Sequence, residues 1–187
     1  MPIRGNRRGS SLIEMLTVVV MIGLMVAIVA PRFRVSPLRE ARLAADQLVR
    51  DLEQARIRAL STRSMVRVAF DPVANTYTGY LDINRDSVFT LSAAEIDSLR
   101  AFGTRPLTDG VVIGRGATPD VPAMPGAGNI TFVGNQIDFD PRGLTAPFGT
   151  RGVVYLTHQN NPAAVSAVTV TSGAGIRSWV YDGTTWR

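Results

Sequence analysis

Residues 7–31 read RRGSSLIEMLTVVVMIGLMVAIVAP, and this stretch decides how the rest of the chain is interpreted. From Ser10 to Ala30 the only charged residue is Glu14. As an α-helix, residues 10–30 span about 31 Å, which matches the roughly 30 Å hydrocarbon core of a bilayer. The stretch therefore predicts a membrane-spanning helix. A charge at the centre of such a helix costs roughly 2.5–3.5 kcal/mol on insertion scales, so Glu14 is a candidate functional residue.

The composition excludes several classes of protein. The 187-residue chain has no cysteine and a single histidine, His158, which argues against disulfides, thiolate metal sites and most histidine-based catalysis. All 20 basic residues are arginine, and the net charge is only +5. Three arginines precede the apolar stretch and the remainder is nearly neutral, so the basic pI is poor evidence for nucleic-acid binding. No nucleophile elbow, phosphate-binding glycine loop or catalytic carboxylate pair is visible, and we expect neither an enzyme nor a cofactor.

A secretory signal peptide is the alternative interpretation of the N-terminus, since it also has a basic start and an apolar centre. Two features argue against it. The small-residue exit AIVA is followed directly by Pro31, a poor residue after a scissile bond, and Glu14 interrupts the apolar segment near its start. Arginine residues on both sides of the helix leave its orientation open.

The stretch RRGSSLIEMLTVVVMIGLMVAIVAP resembles the N-terminus of type IV prepilins and type II secretion pseudopilins. That family has a short basic leader ending in glycine, followed by a helix with glutamate at its fifth position. The resemblance implies a leader over residues 1–9, cleavage between Gly9 and Ser10 by a prepilin peptidase, and N-methylation of Ser10. Counted from Ser10, Glu14 is fifth. Ser10 and Ser11 depart from the phenylalanine or methionine and the threonine that are usual there.

Two further positions match the same family. Gly23 and Pro31 are fourteenth and twenty-second from Ser10, where the family often has a glycine and a proline that soften the helix. The resemblance also implies a role for Glu14, which lies about 6 Å along the helix from the new N-terminus. Its carboxylate would pair with the Ser10 ammonium of a neighbouring subunit, and opening a buried pair costs several kcal/mol. The alternative is that Glu14 merely lies near the lipid headgroups.

Residues 31–62 predict a kinked amphipathic helix. Pro31 removes a backbone donor, so we expect a bend there, and SPLRE places Ser36 as N-cap with Pro37 at the first helical position. Apolar residues then recur at spacings of four and three, at Ala41, Ala45, Leu48, Leu52, Ala55 and Ala59. This narrow stripe favours close packing on a sheet, and a coiled-coil seam is the alternative. The helix is predicted to end at about Thr62.

Residues 63–187 predict a strand-rich globular head. Short β-branched or aromatic segments (MVRVAF, NTYTGYLD, GVVIG, NITFV, QIDFD, GVVYLT, AVTVT and IRSWVYD) are separated by Gly, Pro, Asn and Asp. TSGAG indicates a hairpin turn, and a capping box at Ser92 and Glu95 indicates one short helix in LSAAEIDSL. The predicted fold class is α+β: a long N-terminal helix, with a membrane half and an amphipathic half, packed on a C-terminal antiparallel β-sandwich-like head.

In this order of segments the chain resembles the GspH/FimT family of minor pseudopilins and minor pilins. LEQARIRALSTRSMVRVAFDP resembles the passage from helix to first strand in that family, and FDPRGL resembles a strand exit in the middle of its head. FimT-like proteins can bind DNA through a basic glycine–arginine motif near the C-terminus. The corresponding stretch here, GAGIRSW, has the single arginine Arg177, so nucleic acid is not an expected partner.

The resemblance implies a structural subunit of a periplasmic filament based in the inner membrane, most simply that of type II secretion. The alternatives are a FimT-like minor pilin of a type IV pilus, acting in DNA uptake or pilus assembly, and a membrane-anchored periplasmic binding module or enzyme. The implied partners are the prepilin peptidase, other pilin or pseudopilin subunits, inner-membrane lipid and the inner-membrane assembly platform. The implied location is a single pass of the inner membrane, with the leader cytoplasmic and the head periplasmic.

Three other features have plainer interpretations. Asp82, Asn84 and Asp86 alternate as in a calcium loop, but Ser87 replaces the central glycine, and a polar turn is favoured. His158 in THQNNP is expected to be a solvated loop residue. The alternation of Trp179 with its neighbours suits an ordinary strand face better than a partner-facing patch.

Overall fold

The computed structural model describes residues 12–29, 36–89, 102–122 and 124–187. The chain divides into two compact units, Met1–Val35 and Ser36–Arg187. In the first unit, helix α1 covers Leu12–Val29. It is apolar on all faces, and its described side chains are exposed. The predicted kink at Pro31 lies outside the described residues, as does the predicted short helix in LSAAEIDSL.

Helix α2, Pro37–Thr62, begins and ends as the sequence predicts. Ser36 is the N-cap and its hydroxyl accepts a hydrogen bond from the Arg39 N–H (3.3 Å), with Pro37 in the first turn. Arg63 ends the helix in the left-handed conformation (φ 53°). The predicted stripe is confirmed, because its six members are all buried: Ala41, Ala45, Leu48, Leu52, Ala55 and Ala59. Ala44 and Asp51 are buried with them.

The rest of the head consists of two antiparallel sheets. The strands are β1 (Val66–Asp71), β2 (Thr76–Leu81), β3 (Thr104–Pro106), β4 (Val111–Ile113), β5 (Gln136–Phe139), β6 (Thr145–Ala146), β7 (Gly152–His158), β8 (Asn161–Val170) and β9 (Ile176–Val180). One sheet has the order β3-β2-β1-β5-β6 and the other β4-β7-β8-β9. The class is therefore α+β with antiparallel sheets, as predicted.

Strand β7 and residues 164–170 of strand β8 are buried on both faces, which fixes the position of the core. Val154, Leu156 and Val168 belong to the main cluster, which lies beneath the apolar face of α2. Their neighbours Val153 and Tyr155 point the other way, into a second cluster covered by Val121, Met124 and the C-terminal aromatic residues. The alternation of side chains along a strand produces this division.

Part of the strand prediction is wrong. NITFV makes only one bridge, Ile130 to Val154, before a short 3-10 helix at Val133–Asn135. The reason is local: Gly134 (φ 67°) and Asn135 (φ 53°) both adopt left-handed conformations that turn the chain away from a sheet. The short strands β3 and β6 were not predicted, and β8 is longer at its start than the segment AVTVT.

Candidate functional site

Glu14 lies in the first turn of α1 and is the only charged residue of that helix. Its backbone carbonyl accepts a hydrogen bond from the Thr17 hydroxyl (2.8 Å), and its side chain is exposed. Within the described part of the chain, the Glu14 carboxylate has no hydrogen bond or ion pair. A carboxylate with no partner among the described residues is available to a group from another molecule.

The apolar side chains of α1 are also exposed. Leu12 is 85% exposed, and the large apolar residues along the helix are exposed with it. Gly23 lies inside the helix, and a Cβ added there would meet nothing within 4 Å, so no contact among the described residues requires a glycine there. A glycine inside a helix costs roughly 1 kcal/mol of helix stability relative to alanine. No described contact accounts for this cost, and the predicted role of Gly23 in softening the helix stays a prediction.

The remaining residues of the predicted N-terminal site, Gly9, Ser10 and Pro31, lie outside the described residues. The predicted membrane span covers residues 10–30, whereas α1 covers Leu12–Val29, because residues 10, 11 and 30 also lie outside the described residues. Within residues 12–29, 36–89, 102–122 and 124–187, no helix combines the length and the apolarity needed to cross a membrane.

The two head segments quoted for the family resemblance contact each other. The Arg56 guanidinium Nε, on α2, donates a hydrogen bond to the Gly143 carbonyl (2.9 Å), and Leu60 lies directly against Gly143. Gly143 has φ 73°, and a Cβ there would be only 2.9 Å from the Leu60 side chain. The FDPRGL turn is therefore the point where the sheet holds the last turns of α2.

The carboxylate of Asp140 organises that turn. It accepts hydrogen bonds from the N–H groups of Arg142 (2.8 Å) and Leu144 (3.0 Å) and from the Arg142 guanidinium. Burial alone would raise the pKa of the Asp140 carboxyl, but the hydrogen bonds from Leu144 and Arg142 outweigh it and lower the pKa.

A buried polar cluster on α2 was missed by the sequence interpretation. Asp51 accepts hydrogen bonds from Gln47 Nε2 (3.0 Å), from the Tyr77 hydroxyl (2.5 Å) and from the Arg105 guanidinium (3.1 Å). Burial, together with the hydrogen bond to Asp51, raises the pKa of the Tyr77 hydroxyl well above its ordinary value. The cluster joins α2 to β2 and to the edge strand β3. The sequence signal for this cluster was the position of Asp51, an acidic residue next to Leu52 in the apolar stripe of α2.

The expectation of a solvated loop histidine is wrong. His158 ends strand β7 and is 6% exposed. Its Nδ1 accepts a hydrogen bond from the Asn160 N–H (3.1 Å), so the proton on Nε2 points at Glu40 Oε2, 2.8 Å away. Glu40 lies in the first turn of α2. The contact therefore connects the start of that helix to the sheet.

The Asp82 segment forms a polar turn. Asp82 is buried, and its two carboxylate oxygens accept hydrogen bonds from the N–H groups of Arg85 (2.8 Å) and Ser87 (2.9 Å). Asn84 donates to Asp86 (2.8 Å). The oxygens that a cation would need are thus bonded to the backbone, and no group of three acidic or histidine side chains among the described residues is placed to hold a metal ion.

Both tryptophans pack on the second cluster. Trp186 contacts Tyr155 and Tyr181, and its indole N–H donates to the Pro119 carbonyl (3.1 Å). Trp179 donates to the Thr169 hydroxyl (3.0 Å), with the Arg177 guanidinium 5.5 Å from its ring. The interpretation of Trp179 as part of a strand face is confirmed by its place in β9.

Comparison with known proteins gives one family. The family model described as type II transport protein GspH matches residues 44–175, more than half of the chain. No curated protein sequence matches. The type IV minor pilin FimU of Pseudomonas aeruginosa is 13% identical to this chain, with 80% of this chain and 93% of that chain covered and a TM-score of 0.49. The minor pseudopilin EpsH from the type 2 secretion system of Vibrio cholerae is 11% identical, with 75% and 97% covered and a TM-score of 0.49.

Proposed function

This chain belongs to the family of the type II transport protein GspH, and from that membership we propose that it joins its filament through Glu14. Its function is that of a minor pseudopilin, a structural subunit and not an enzyme. The family is membrane-anchored and faces the periplasm, and the partners of its members are other pilin and pseudopilin subunits.

The observation that carries the proposal is the state of Glu14 in α1. The carboxylate is exposed on a helix that is otherwise apolar, and it has no partner among the described residues. An acid in that position is costly in lipid. The cost is offset if the carboxylate pairs with the free ammonium of Ser10 on the next subunit, since a paired charge is far cheaper in a low-dielectric layer than a bare one.

The finer parts of the proposal follow from the N-terminal motif. A prepilin peptidase removes residues 1–9 between Gly9 and Ser10, and Ser10 is then N-methylated. Residues 10–30 cross the inner membrane once, with the leader in the cytoplasm, and an inner-membrane assembly platform extracts the subunit. Gly23 and Pro31 give the helix the freedom to adapt to its neighbours.

The deciding experiment changes Glu14→Leu in the full chain, expressed in a host with the complete secretion system. Insertion should be as good as wild type or better, because the segment becomes more apolar. Crosslinking to the other filament subunits should fall at least about tenfold, the effect of about 1.4 kcal/mol in the contact. Met15→Leu changes the adjacent side chain without touching a charge and should behave as wild type.

The same samples test the processing step. Intact mass should show the loss of residues 1–9 for the wild type, for Glu14→Leu and for Met15→Leu alike, because the leader and Gly9 are unchanged. A mature start near Phe33 would indicate an ordinary signal peptidase. Normal crosslinking of Glu14→Leu would contradict the pairing of Glu14 with a neighbouring ammonium.

A further inference from the structure

Strand β9 is an edge of its sheet, and the direction of its backbone groups is fixed by its neighbours. The Tyr181 N–H donates to the Val165 carbonyl on β8 (3.0 Å), whereas Val180 exchanges two hydrogen bonds with Arg187 on the opposite side (2.8 and 3.0 Å). Backbone groups alternate in direction along an antiparallel strand. The N–H and C=O groups of Ile176 and Ser178 therefore point away from β8, and no described residue bonds to them.

The tail residues show that this edge accepts a strand. Trp186 pairs with Tyr181 in an antiparallel bridge, and Arg187 pairs with Val180. Because the pairing is antiparallel, the tail runs along β9 from Tyr181 through Val180 in the direction of Ser178. The open positions of β9 thus continue a pairing that the chain itself begins, and an unpaired edge of this kind is a template for an added strand.

Apolar grooves lie on both faces of the open edge. On the α2 side, a groove of about 360 Å³ is lined by Leu38, Leu43 and Val180, with Arg39 and Arg42 at its rim. On the other side, a groove of about 430 Å³ is lined by Pro122, Met124 and Trp179, with Arg177 beside them. A strand added to β9 would place alternate side chains in the two grooves, because successive side chains point to opposite faces.

The charges select the kind of strand. Arg39 and Arg177 form no ion pair with any described residue, and Arg42 reaches Asp46 only at 4.0 Å. Asp46 is already bonded to the Ser178 hydroxyl (2.9 Å). Pairing of β9 with β9 of a second copy would bring the same arginines together, which is unfavourable, whereas acidic residues would be attracted to them.

We propose that the β9 edge, Ile176–Val180 with its two flanking grooves, binds an extended acidic segment of another protein, with apolar or β-branched side chains at its centre. This partner surface goes beyond the filament role and is separate from Glu14. Its failure would leave the pairing of Glu14 with a neighbouring subunit standing.

The test uses the full chain in detergent micelles and a ten-residue peptide with two acidic residues at each end and alternating valine and threonine between them. Binding is measured by fluorescence anisotropy. Two N-methylated forms of the peptide carry methyl groups on alternate amides, one form on each set. Strand pairing requires that one form loses binding and the other retains it, because only one set of N–H groups faces β9.

Hydrogen exchange gives a second readout that a nonspecific contact would not produce. The peptide should protect the amides of Ile176 and Ser178, whereas those of Arg177 and Trp179, already bonded to β8, should not change. Arg39→Glu combined with Arg177→Glu should weaken binding at least about tenfold. Arg151→Glu reverses an exposed arginine outside both grooves and should leave binding unchanged.

Four results would overturn the proposal. They are equal binding of a peptide with lysine in place of the acids, equal binding of both N-methylated forms, no protection of Ile176 and Ser178, and an equal loss with Arg151→Glu. Dimerisation of the chain through β9 in the absence of peptide would assign the edge to a second copy instead.

Discussion

Helices α1 and α2 differ in the exposure of their apolar side chains. Helix α1 is apolar on every face, and its described side chains are exposed. Helix α2 concentrates its small apolar residues in one stripe and buries that stripe completely, with Ala45 and Leu52 both at 0% exposure. The apolar stripe of α2 is therefore covered within the head, whereas the apolar side chains of α1 have no such cover among the described residues of their own unit.

The difference teaches where each helix acts. A stripe that already covers a sheet stabilises the fold and leaves only its outer face for partners. The described side chains of α1 are exposed, and we propose that its one acid, Glu14, acts in assembly. Changes in α2 should therefore be measured as stability, and changes in α1 as assembly.

Removal of residues 1–35 should give the largest effect and the clearest separation of the two helices. The fragment keeps Ser36 as the cap of α2 and the whole buried stripe. We expect complete loss of membrane retention together with a monomeric, strand-rich protein that unfolds cooperatively, measured by size-exclusion chromatography and circular dichroism. A fragment that starts at Asp46 lacks Ala41, Ala44 and Ala45 and should unfold at a lower temperature. Aggregation of the longer fragment would mean that the head needs the first unit to fold.

Asp51→Ala should be the most damaging single change in the head. It leaves the Tyr77 hydroxyl and the Arg105 guanidinium without their shared acceptor. We expect a loss of about 2–4 kcal/mol in the free energy of unfolding, between the values for a hydrogen bond to a charge and for a fully buried ion pair. The intermediate value applies because the Arg105 side chain is 35% exposed.

Tyr77→Phe provides the matched variant for this cluster. It removes one hydrogen bond to Asp51 and retains the ring, so its cost should be smaller, about 1.5–3 kcal/mol. Urea unfolding of both variants measures the difference. An Asp51→Ala protein as stable as wild type would show that the cluster does not hold α2 to β2 and β3.

The same substitution placed in each helix tests the comparison directly. Ala45→Leu inserts three heavy atoms where α2 meets the sheet, and overpacking of this kind costs about 1–3 kcal/mol. Ala27→Leu makes the same change on the exposed surface of α1. Thermal unfolding of the head should fall for Ala45→Leu and stay unchanged for Ala27→Leu. Equal effects would show that α1 also contributes to the stability of the head.

Most of the fold could be predicted from sequence because its signals are local. The cap at Ser36, the alanine stripe of α2 and most strands depend on residues within a few positions of one another. Strands β3 and β6, with three and two residues, carry no such pattern and exist only through their neighbours. They were missed for that reason.

The site was predictable to a different extent. Glu14 stands out because the surrounding helix is apolar, and no tertiary contact is needed to recognise it. Two of the partners of Asp51, Tyr77 and Arg105, are 26 and 54 residues away, and the β9 edge depends on which strand lies outermost. These features depend on sheet order, which local periodicity does not contain.

Asp140→Asn should give the smallest effect, and its pH dependence identifies it. The amide oxygen can still accept the N–H bonds of Arg142 and Leu144, so the loss at pH 7 should be only about 0.5–1.5 kcal/mol. The folded pKa of Asp140 is lowered, so the carboxylate stabilises the head above its ordinary pKa near 4, and this contribution is lost as pH falls through the lowered value. Urea unfolding from pH 7 to pH 3 should therefore show wild type losing stability below about pH 4 more steeply than Asp140→Asn, until the two curves converge. The turn of Asp140 contacts α2 through Arg56 and Leu60, whereas Glu14 lies on α1. This change should therefore leave crosslinking through Glu14 unaffected. Parallel curves at all pH values would show that the backbone bonds of the turn, and not its charge, hold that end of the helix.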